Sequence, residues 1–78
     1  MATSIIRVYN QGRGRPEANA RVVLGWSGFV NLGQSKPVYT DRNGEAHIQH
    51  SATGPAVIYV NGREMDKFRS PGAHTVFV

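Results

Sequence analysis

Apolar and polar residues alternate along this chain in short segments, the pattern of strands that bury one face and expose the other. From Ser4 to Tyr9, Ile6 and Val8 fall on one face, and Arg7 and Tyr9 fall on the opposite face. The same period of two extends from residue 20 to residue 26. The alternating positions, with those of later segments, predict a hydrophobic core made of Ile6, Val8, Val22, Leu24, Ile48, Ile58, Val60 and Val76.

Glycine and proline separate the alternating segments and leave little room for helices. Nine Gly and four Pro interrupt the chain so often that its longest uninterrupted stretch is the first eleven residues. Residues 41–44, Asp-Arg-Asn-Gly, give the clearest local signal, a hairpin turn between segments 37–40 and 45–50. Asn-Gly suits a tight hairpin turn, and Asp41 can accept backbone hydrogen bonds within it. Asn61-Gly62 predicts a second turn of this kind.

Four further segments complete the predicted strands. Residues 56–60 form an apolar run suited to a strand covered on both faces, and residues 74–78 predict the last strand. Residues 63–69 fit a strand or a single helical turn, and residues 29–34 fit a short strand or an apolar loop. Short strands at intervals of about 8–12 residues predict an all-β, antiparallel fold, either a sandwich or a barrel.

The length of 78 residues suits a single domain over residues 1–78. Apolar residues make up 40% of the chain and are spread along it, which favours a folded domain over a disordered tail. Without cysteine, the chain has neither disulfides nor thiolate ligands. No apolar run approaches the roughly 18 residues of a membrane helix, and the N-terminus lacks a signal-peptide pattern. We therefore expect a soluble protein, cytoplasmic if the chain is complete.

The chain is basic, with a formal net charge of +4 and a pI of about 10.1. Seven of its nine cations are arginines. Nucleic acids bind basic surfaces, and an SH3-like or OB-like barrel is the alternative fold that would use the charge in this way. However, the arginines are dispersed, and no nucleic-acid-binding motif accompanies them. We expect them mainly to keep the domain soluble, so nucleic acid is the less favoured partner.

The chain has no arrangement of residues that predicts catalysis, a metal or a cofactor. His47 and His50 are three residues apart, and on a strand such residues point to opposite faces. In residues 41–45 the glycine stands fourth, whereas an EF-hand calcium loop has it sixth. No serine lies in a nucleophile elbow, and Gly12-Arg13-Gly14 lacks the spacing of a phosphate-binding loop. We expect a protein without enzymatic activity, metal or cofactor.

The candidate contact residues are aromatic and basic side chains. Trp26 is in phase with Val22 and Leu24, which favours a place in the core, whereas Phe29 lies in a segment flanked by glycines. Exposed aromatic side chains stack on sugars or anchor protein partners. The residues predicted to contact a ligand or partner are Trp26, Phe29, Phe77, Arg13 and Arg15. We expect a non-catalytic accessory or binding module that engages protein or carbohydrate.

The order of turns and strands resembles the carboxypeptidase regulatory-like domain, a transthyretin-like (prealbumin-like) sandwich. A strand, a loop and alternating apolar residues carry the first half of the resemblance: Val8, Gly12, Pro16, Ala20, Val22 and Leu24. A Thr-Asp-x-x-Gly turn and two strands around a glycine carry the second half: Thr40, Asp41, Gly44, Ala46, Ile48, Gly54, Ile58 and Val60. The chain departs from the family at Pro55-Ala56, where tyrosine is common.

The resemblance implies a seven-strand, antiparallel Greek-key sandwich of the transthyretin-like (Ig-like) kind, a carbohydrate-binding-like fold. Domains of this family serve as accessory modules in protein or carbohydrate contacts, or as structural spacers. The resemblance therefore agrees with a role in binding and names no ligand. The departure at Pro55 leaves open the register of the strand that follows it.

The last strand has an unguarded edge. Residues 75–78 include no charged residue, proline or glycine, although edge strands usually carry one to prevent pairing with other chains. Phe77 lies on the face opposite to Val76 and Val78. Two arrangements would cover the strand: burial inside the sheet, or pairing with a second copy. A thin core without disulfides favours the second arrangement, a homodimer.

Overall fold

The computed structural model describes residues 2–26 and 33–78, and all regular elements in these ranges are β-strands. These ranges include no helix, and so none that could cross a membrane. The strands are β1 (Ala2–Asn10), β2 (Arg15–Pro16), β3 (Arg21–Trp26), β4 (Gly33–Gln34), β5 (Val38–Tyr39), β6 (Glu45–His50), β7 (Gly54–Val60), β8 (Arg63–Ser70) and β9 (Ala73–Phe77). The all-β prediction is confirmed for these ranges, and the segment 63–69 is a strand.

The first sheet has β1 at its centre and also contains β2, β6 and β9. β6 and β2 pair antiparallel with β1 on one edge, where the Val8 N–H donates to the Gly44 C=O and the Val8 C=O accepts from the Glu17 N–H. β9 runs parallel to β1 on the other edge. The prediction of a wholly antiparallel fold is wrong for this pair, because the turn before β9 delivers the chain to the end where β1 begins.

The second sheet has β3 at its centre, with β7 on one edge and β4 and β5 on the other. β8 lies outside β7, and a register shift interrupts their pairing between Ile58 and Tyr59. Asn61 and Gly62 connect these two strands with positive φ angles of 53° and 83°, as a type I′ turn requires. The second predicted turn is therefore confirmed.

The hydrophobic core is built from side chains of both sheets. All eight predicted core residues are buried, each with at most 4% of its surface exposed. Trp26 joins the core with 7% exposed, and the small side chains of Ala20, Ala46 and Ala56 complete it. Full burial of an aliphatic side chain contributes about 1.5–3 kcal/mol. The alternating apolar residues therefore supply the main cohesion between the sheets.

The apolar strand β7 is buried on one face only, in contrast to the prediction from its sequence. Ala56, Ile58 and Val60 are buried, whereas Val57 and Tyr59 are half-buried on the other face. The Tyr59 ring packs over Gly25 of β3, since a Cβ on that glycine would lie 3.0 Å from the ring. A glycine inside an alternating strand thus makes room for an aromatic ring on the outer face of the sheet.

Residues 41–44 form a tight turn that connects the two sheets. The Asp41 carboxylate accepts hydrogen bonds from the N–H groups of Asn43 at 2.8 Å and Glu45 at 3.1 Å, as predicted. However, β5 before the turn pairs with β3, and β6 after the turn pairs with β1. The prediction of a hairpin is therefore wrong. Local sequence sets the reversal of the chain, and contacts distant in sequence decide which sheet each flanking strand joins.

Candidate binding surface

Two aromatic rings meet on the outer face of the first sheet, near the C-terminal ends of β1 and β9. Tyr9 and Phe77 are register partners in the parallel pair, and their ring centroids lie 6.1 Å apart at an interplanar angle of 71°. This edge-to-face arrangement is favourable for aromatic rings. Tyr9 is half-buried, and Phe77 has 56% of its surface exposed. The pair therefore presents a largely exposed apolar ring to solvent.

The alternation of the two strands explains why these rings point outward. Val8 and Val76 are buried in the core, and neighbouring side chains in a strand point to the opposite face. Val78 fixes the end of the segment, because its N–H donates to the Tyr9 C=O at 2.9 Å and its C=O accepts a bond from the loop after β1. The backbone on both sides of Phe77 is thus held, which limits the entropy lost when a partner binds.

Arg13 and Arg15 lie at the same end of the first sheet. Asn10 closes the loop after β1: its side-chain oxygen accepts from the Arg13 N–H at 3.0 Å, and its C=O accepts from the Gly14 N–H at 2.9 Å. Arg15 is the register partner of Asn10. Both arginines are exposed, and neither forms an ion pair within the part of the chain that the structure describes. The structure therefore places Arg13 and Arg15 at the same end of the first sheet as Phe77. However, the register of Arg15 with Asn10 directs its side chain to the face opposite to Tyr9 and Phe77.

We call the outer face around these rings the Tyr9–Phe77 surface and define it by Arg7, Tyr9 and Phe77, with Arg13 and Arg15 at the neighbouring end of the sheet. Arg7 shares the outer face with Tyr9, two residues along β1, and its guanidinium forms an ion pair with Glu45 of β6. The hydrogen bond from Arg7 lowers the pKa of Glu45, and a second one from His47 lowers it further. Because Glu45 neutralises Arg7, the positive charge near this surface that has no ion pair within the described residues belongs to Arg13 and Arg15, at the end of the sheet.

The other candidate residues from the sequence do not join this surface. Trp26 is buried, and its indole N–H donates to the Ser70 hydroxyl at 2.9 Å, so its predicted place in the core is confirmed. Phe29 lies outside the described residues. Tyr9, in contrast, belongs to the surface although the sequence indicated only its outward face. Its contact with Phe77 depends on the parallel pairing of β1 and β9, which no local pattern reveals.

Ser4 and His50 form a buried hydrogen-bonded pair at the other end of the first sheet. The His50 Nδ1–H donates to the Ala52 C=O at 2.6 Å, because a carbonyl can only accept. Nε2 is then left to accept from the Ser4 hydroxyl at 2.7 Å. Ser4 has no exposed surface, and the His50 ring lies 5.0 Å from that of Trp26. The serine oxygen is therefore inaccessible to a substrate, and the pair contributes to packing.

Asp41, Glu45 and His47 place their side-chain ligand atoms within 4.8 Å of one another. Each carboxylate already has donors: the Asn43 and Glu45 N–H groups bond to Asp41, and Arg7 bonds to Glu45. The backbone hydrogen bond from Glu45 is the largest cause that lowers the pKa of Asp41. A cation would have to replace these donors. The cluster is explained by the turn and the ion pair without a metal.

A groove of about 810 Å³ lies between the edge of β6 and the segment that contains β4 and β5. Lys36 and His47 give it a polar wall, and Trp26 and His50 line it from the core. Its lining includes Trp26 and Gly33, which flank in sequence the residues that the structure does not describe. The candidate binding site is therefore the Tyr9–Phe77 surface, all of whose residues are described.

No protein-family model matches this chain, and no curated protein matches it significantly. The class that the structure defines is an all-β protein of two sheets with an aromatic and basic surface on the first. The geometry of that surface is consequently the basis on which a function can be inferred.

Proposed function

We propose that this chain is a non-catalytic binding module that engages a protein partner through the Tyr9–Phe77 surface. The observation that carries the proposal is the exposed edge-to-face pair of Tyr9 and Phe77, on a sheet face that the core does not use. Covering an exposed apolar ring is favourable by about 25 cal/mol per Å². Two paired strands hold the rings, so a partner meets a surface that is already formed.

The residue types of the surface favour protein over carbohydrate. Tyrosine, phenylalanine and arginine are enriched at the centres of protein interfaces. The guanidinium groups of Arg13 and Arg15 form no ion pair within residues 2–26 and 33–78, and such groups pair well with the carboxylates of a partner. A sugar stacks best on a flat ring face, and two rings inclined at 71° do not form one flat platform. Carbohydrate therefore remains the less favoured of the two predicted ligand classes.

We propose further that the two sheets form the transthyretin-like Greek-key sandwich that the sequence resembles. Two observations support this fold, although the described ranges contain nine strands, three of them only two residues long, where seven are expected. The core lies between side chains of two sheets. In addition, residues 40–44 carry the chain from the second sheet to the first. An accessory domain that presents one surface to another protein agrees with this architecture.

Site-specific photo-cross-linking in an extract of the source cells tests the protein partner. We expect p-benzoylphenylalanine in place of Phe77 to give a discrete adduct with another protein, since this ring is the more exposed of the pair. The matched control is Tyr39, an aromatic residue of β5 with 60% of its surface exposed. The same replacement there should give no adduct. The combined change Arg13→Ala and Arg15→Ala should abolish the adduct at position 77.

An absent adduct at position 77, or equal adducts at positions 77 and 39, would contradict the proposal. Nucleic acid is the alternative partner, because Arg13 and Arg15 lie at the same end of the first sheet as two rings that could stack on bases. Fluorescence anisotropy with labelled oligonucleotides would identify it by binding that weakens steeply with salt, since phosphate contacts release counterions. Binding to a glycan array would instead identify carbohydrate, if that binding does not weaken as the salt concentration rises.

A further inference from the structure

β9 is an outer strand of the first sheet, and half of its backbone groups point away from β1. The Ile5 N–H donates to the Gly72 C=O, and the Val78 N–H donates to the Tyr9 C=O. Because backbone groups alternate along a strand, residues 74 and 76 use this same edge. The N–H and C=O groups directed to the free edge are those of Ala73, Thr75 and Phe77.

The two outer strands β8 and β9 differ in how their edges are protected. β8 has five charged residues among its eight, the usual device against pairing with other chains. β9 has no Lys, Arg, Asp, Glu or Pro. Its one titratable side chain, His74, turns towards β8: Nε2 lies 2.8 Å from an oxygen of Asp66, and the ring lies 5.9 Å from that of Phe68. Among the residues that the structure describes, the free edge of β9 therefore has no charged residue or proline that would prevent pairing with another chain.

The edge of β9 is complementary to itself in one antiparallel register. About a two-fold axis at Thr75, the two copies of Thr75 face each other and Ala73 faces Phe77 of the second copy. In this register the opposite residues are hydrogen-bonded pairs, in which each residue donates its N–H to the C=O of the other. The three pairs give about six hydrogen bonds. The large ring lies opposite the smallest side chain of the strand, and the two threonines form a favourable cross-strand pair. A shift by two residues would place Phe77 opposite Pro71, which has no N–H.

We propose that β9 pairs antiparallel with β9 of a second copy of this chain, about a two-fold axis at Thr75. The pairing joins two first sheets into one continuous sheet and places two Tyr9–Phe77 surfaces on the same outer face. It goes beyond the proposed function, because it uses the backbone edge and leaves that face open to another protein. A five-residue strand pair buries less than the roughly 1,600 Å² of a standard interface. We therefore expect a dissociation constant on the order of 10–100 μM.

Sedimentation equilibrium from about 1 μM to about 1 mM tests the pairing on the whole chain. We expect the wild type to pass from monomer to dimer over this range. Thr75→Pro removes an N–H that faces the second copy and no hydrogen bond to β1, so it should weaken association by at least about tenfold. Thr75→Val keeps both the N–H and a branched side chain. This matched control should dimerise within about threefold of the wild type.

Amide hydrogen exchange on the wild type covers the case in which Thr75→Pro does not fold. The N–H groups of Thr75 and Phe77 should exchange more slowly as concentration rises, whereas those at the outer edge of β8 should not change. A wild type that is monomeric at about 1 mM, a folded Thr75→Pro that still dimerises, or exchange independent of concentration would each overturn the pairing. None of these outcomes changes the cross-linking of position 77 to other proteins, which tests the proposed function. Failure of the dimer can therefore be distinguished from failure of the proposed function.

Discussion

Gly44 and Gly62 share a left-handed backbone conformation, with φ angles of 75° and 83°, but differ in their surroundings. A Cβ on Gly44 would lie 2.6 Å from the Val8 carbonyl oxygen and 2.8 Å from Cβ of Pro16, whereas one on Gly62 would meet nothing within 4 Å. Gly44 therefore lets the turn before β6 pass close to the backbone of β1. At Gly62 only the backbone conformation requires glycine.

Gly44→Ala and Gly62→Ala separate steric clash from backbone strain. Both alanines would carry the cost of a left-handed residue, about 1–2 kcal/mol. Gly44→Ala should lose at least about 3 kcal/mol in total, because backbone atoms that cannot move away add overpacking to this strain. Urea unfolding of the two variants measures the difference. Equal losses would show that the close approach to Val8 is not what requires glycine at position 44.

At the scale of elements, the turn between β5 and β6 depends on the ionised form of Asp41. Its carboxylate accepts two backbone hydrogen bonds inside the turn, and these bonds lower its pKa in the folded protein. Glu45, the first residue of β6, also has a lowered pKa, chiefly because of the hydrogen bond from Arg7. The connection between the two sheets is therefore stabilised by ionised carboxylates, and this stabilisation is lost when acid protonates them.

We expect this connection to weaken in acid. Because the pKa of Asp41 in the folded protein lies below its ordinary value of 3.8, its ionised form favours the folded state. The contribution is complete above that value and is lost as pH falls through the lower, folded value. Asp41→Asn should retain acceptors for both hydrogen bonds without titrating, so its stability should fall less steeply below about pH 5. Urea midpoints across this pH range measure both slopes, and identical slopes would contradict the role of Asp41.

The elements differ in how far the sequence predicts them. Alternation identifies the inward residues of β1, β3, β6 and β7, because burial on one face imposes a period of two. The turn at residues 41–44 is predictable in shape, since Asp41 and Gly44 suit it chemically. Its role as a link between sheets is not predictable, and neither is the parallel pairing of β9 with β1. Both depend on contacts between distant residues, and the Tyr9–Phe77 surface depends on the second.

At the scale of the whole molecule, a buried polar chain joins the two sheets at one end of the core. Ser4 bonds to His50 within the first sheet, and the His50 ring packs on Trp26 of the second. Trp26 in turn donates to Ser70, whose hydroxyl donates to the Gly54 C=O at 2.8 Å. Each polar atom in this chain has a partner, which is the condition for burial at low cost.

Ser4→Ala should destabilise the protein although it removes one atom. It leaves Nε2 of His50 without a donor inside the core, a cost of about 1–3 kcal/mol. Ser51→Ala, at an exposed serine in the adjacent segment, is the matched control and should change stability by no more than about 0.5 kcal/mol. Thermal and urea unfolding measure both variants. A neutral Ser4→Ala would mean that water replaces the hydroxyl and that the polar chain does not depend on it.

The parallel pairing of β1 and β9 has a mechanical consequence. Because the two strands run in the same direction, Ala2 and Val78 lie at opposite ends of the first sheet. A tensile force applied between these two residues would slide β1 past β9 lengthwise, so that the hydrogen bonds between them bear the load together and cannot open one at a time. The resistance to pulling is then set by the height of the unfolding barrier, and the pair acts as a shear clamp along the axis of extension.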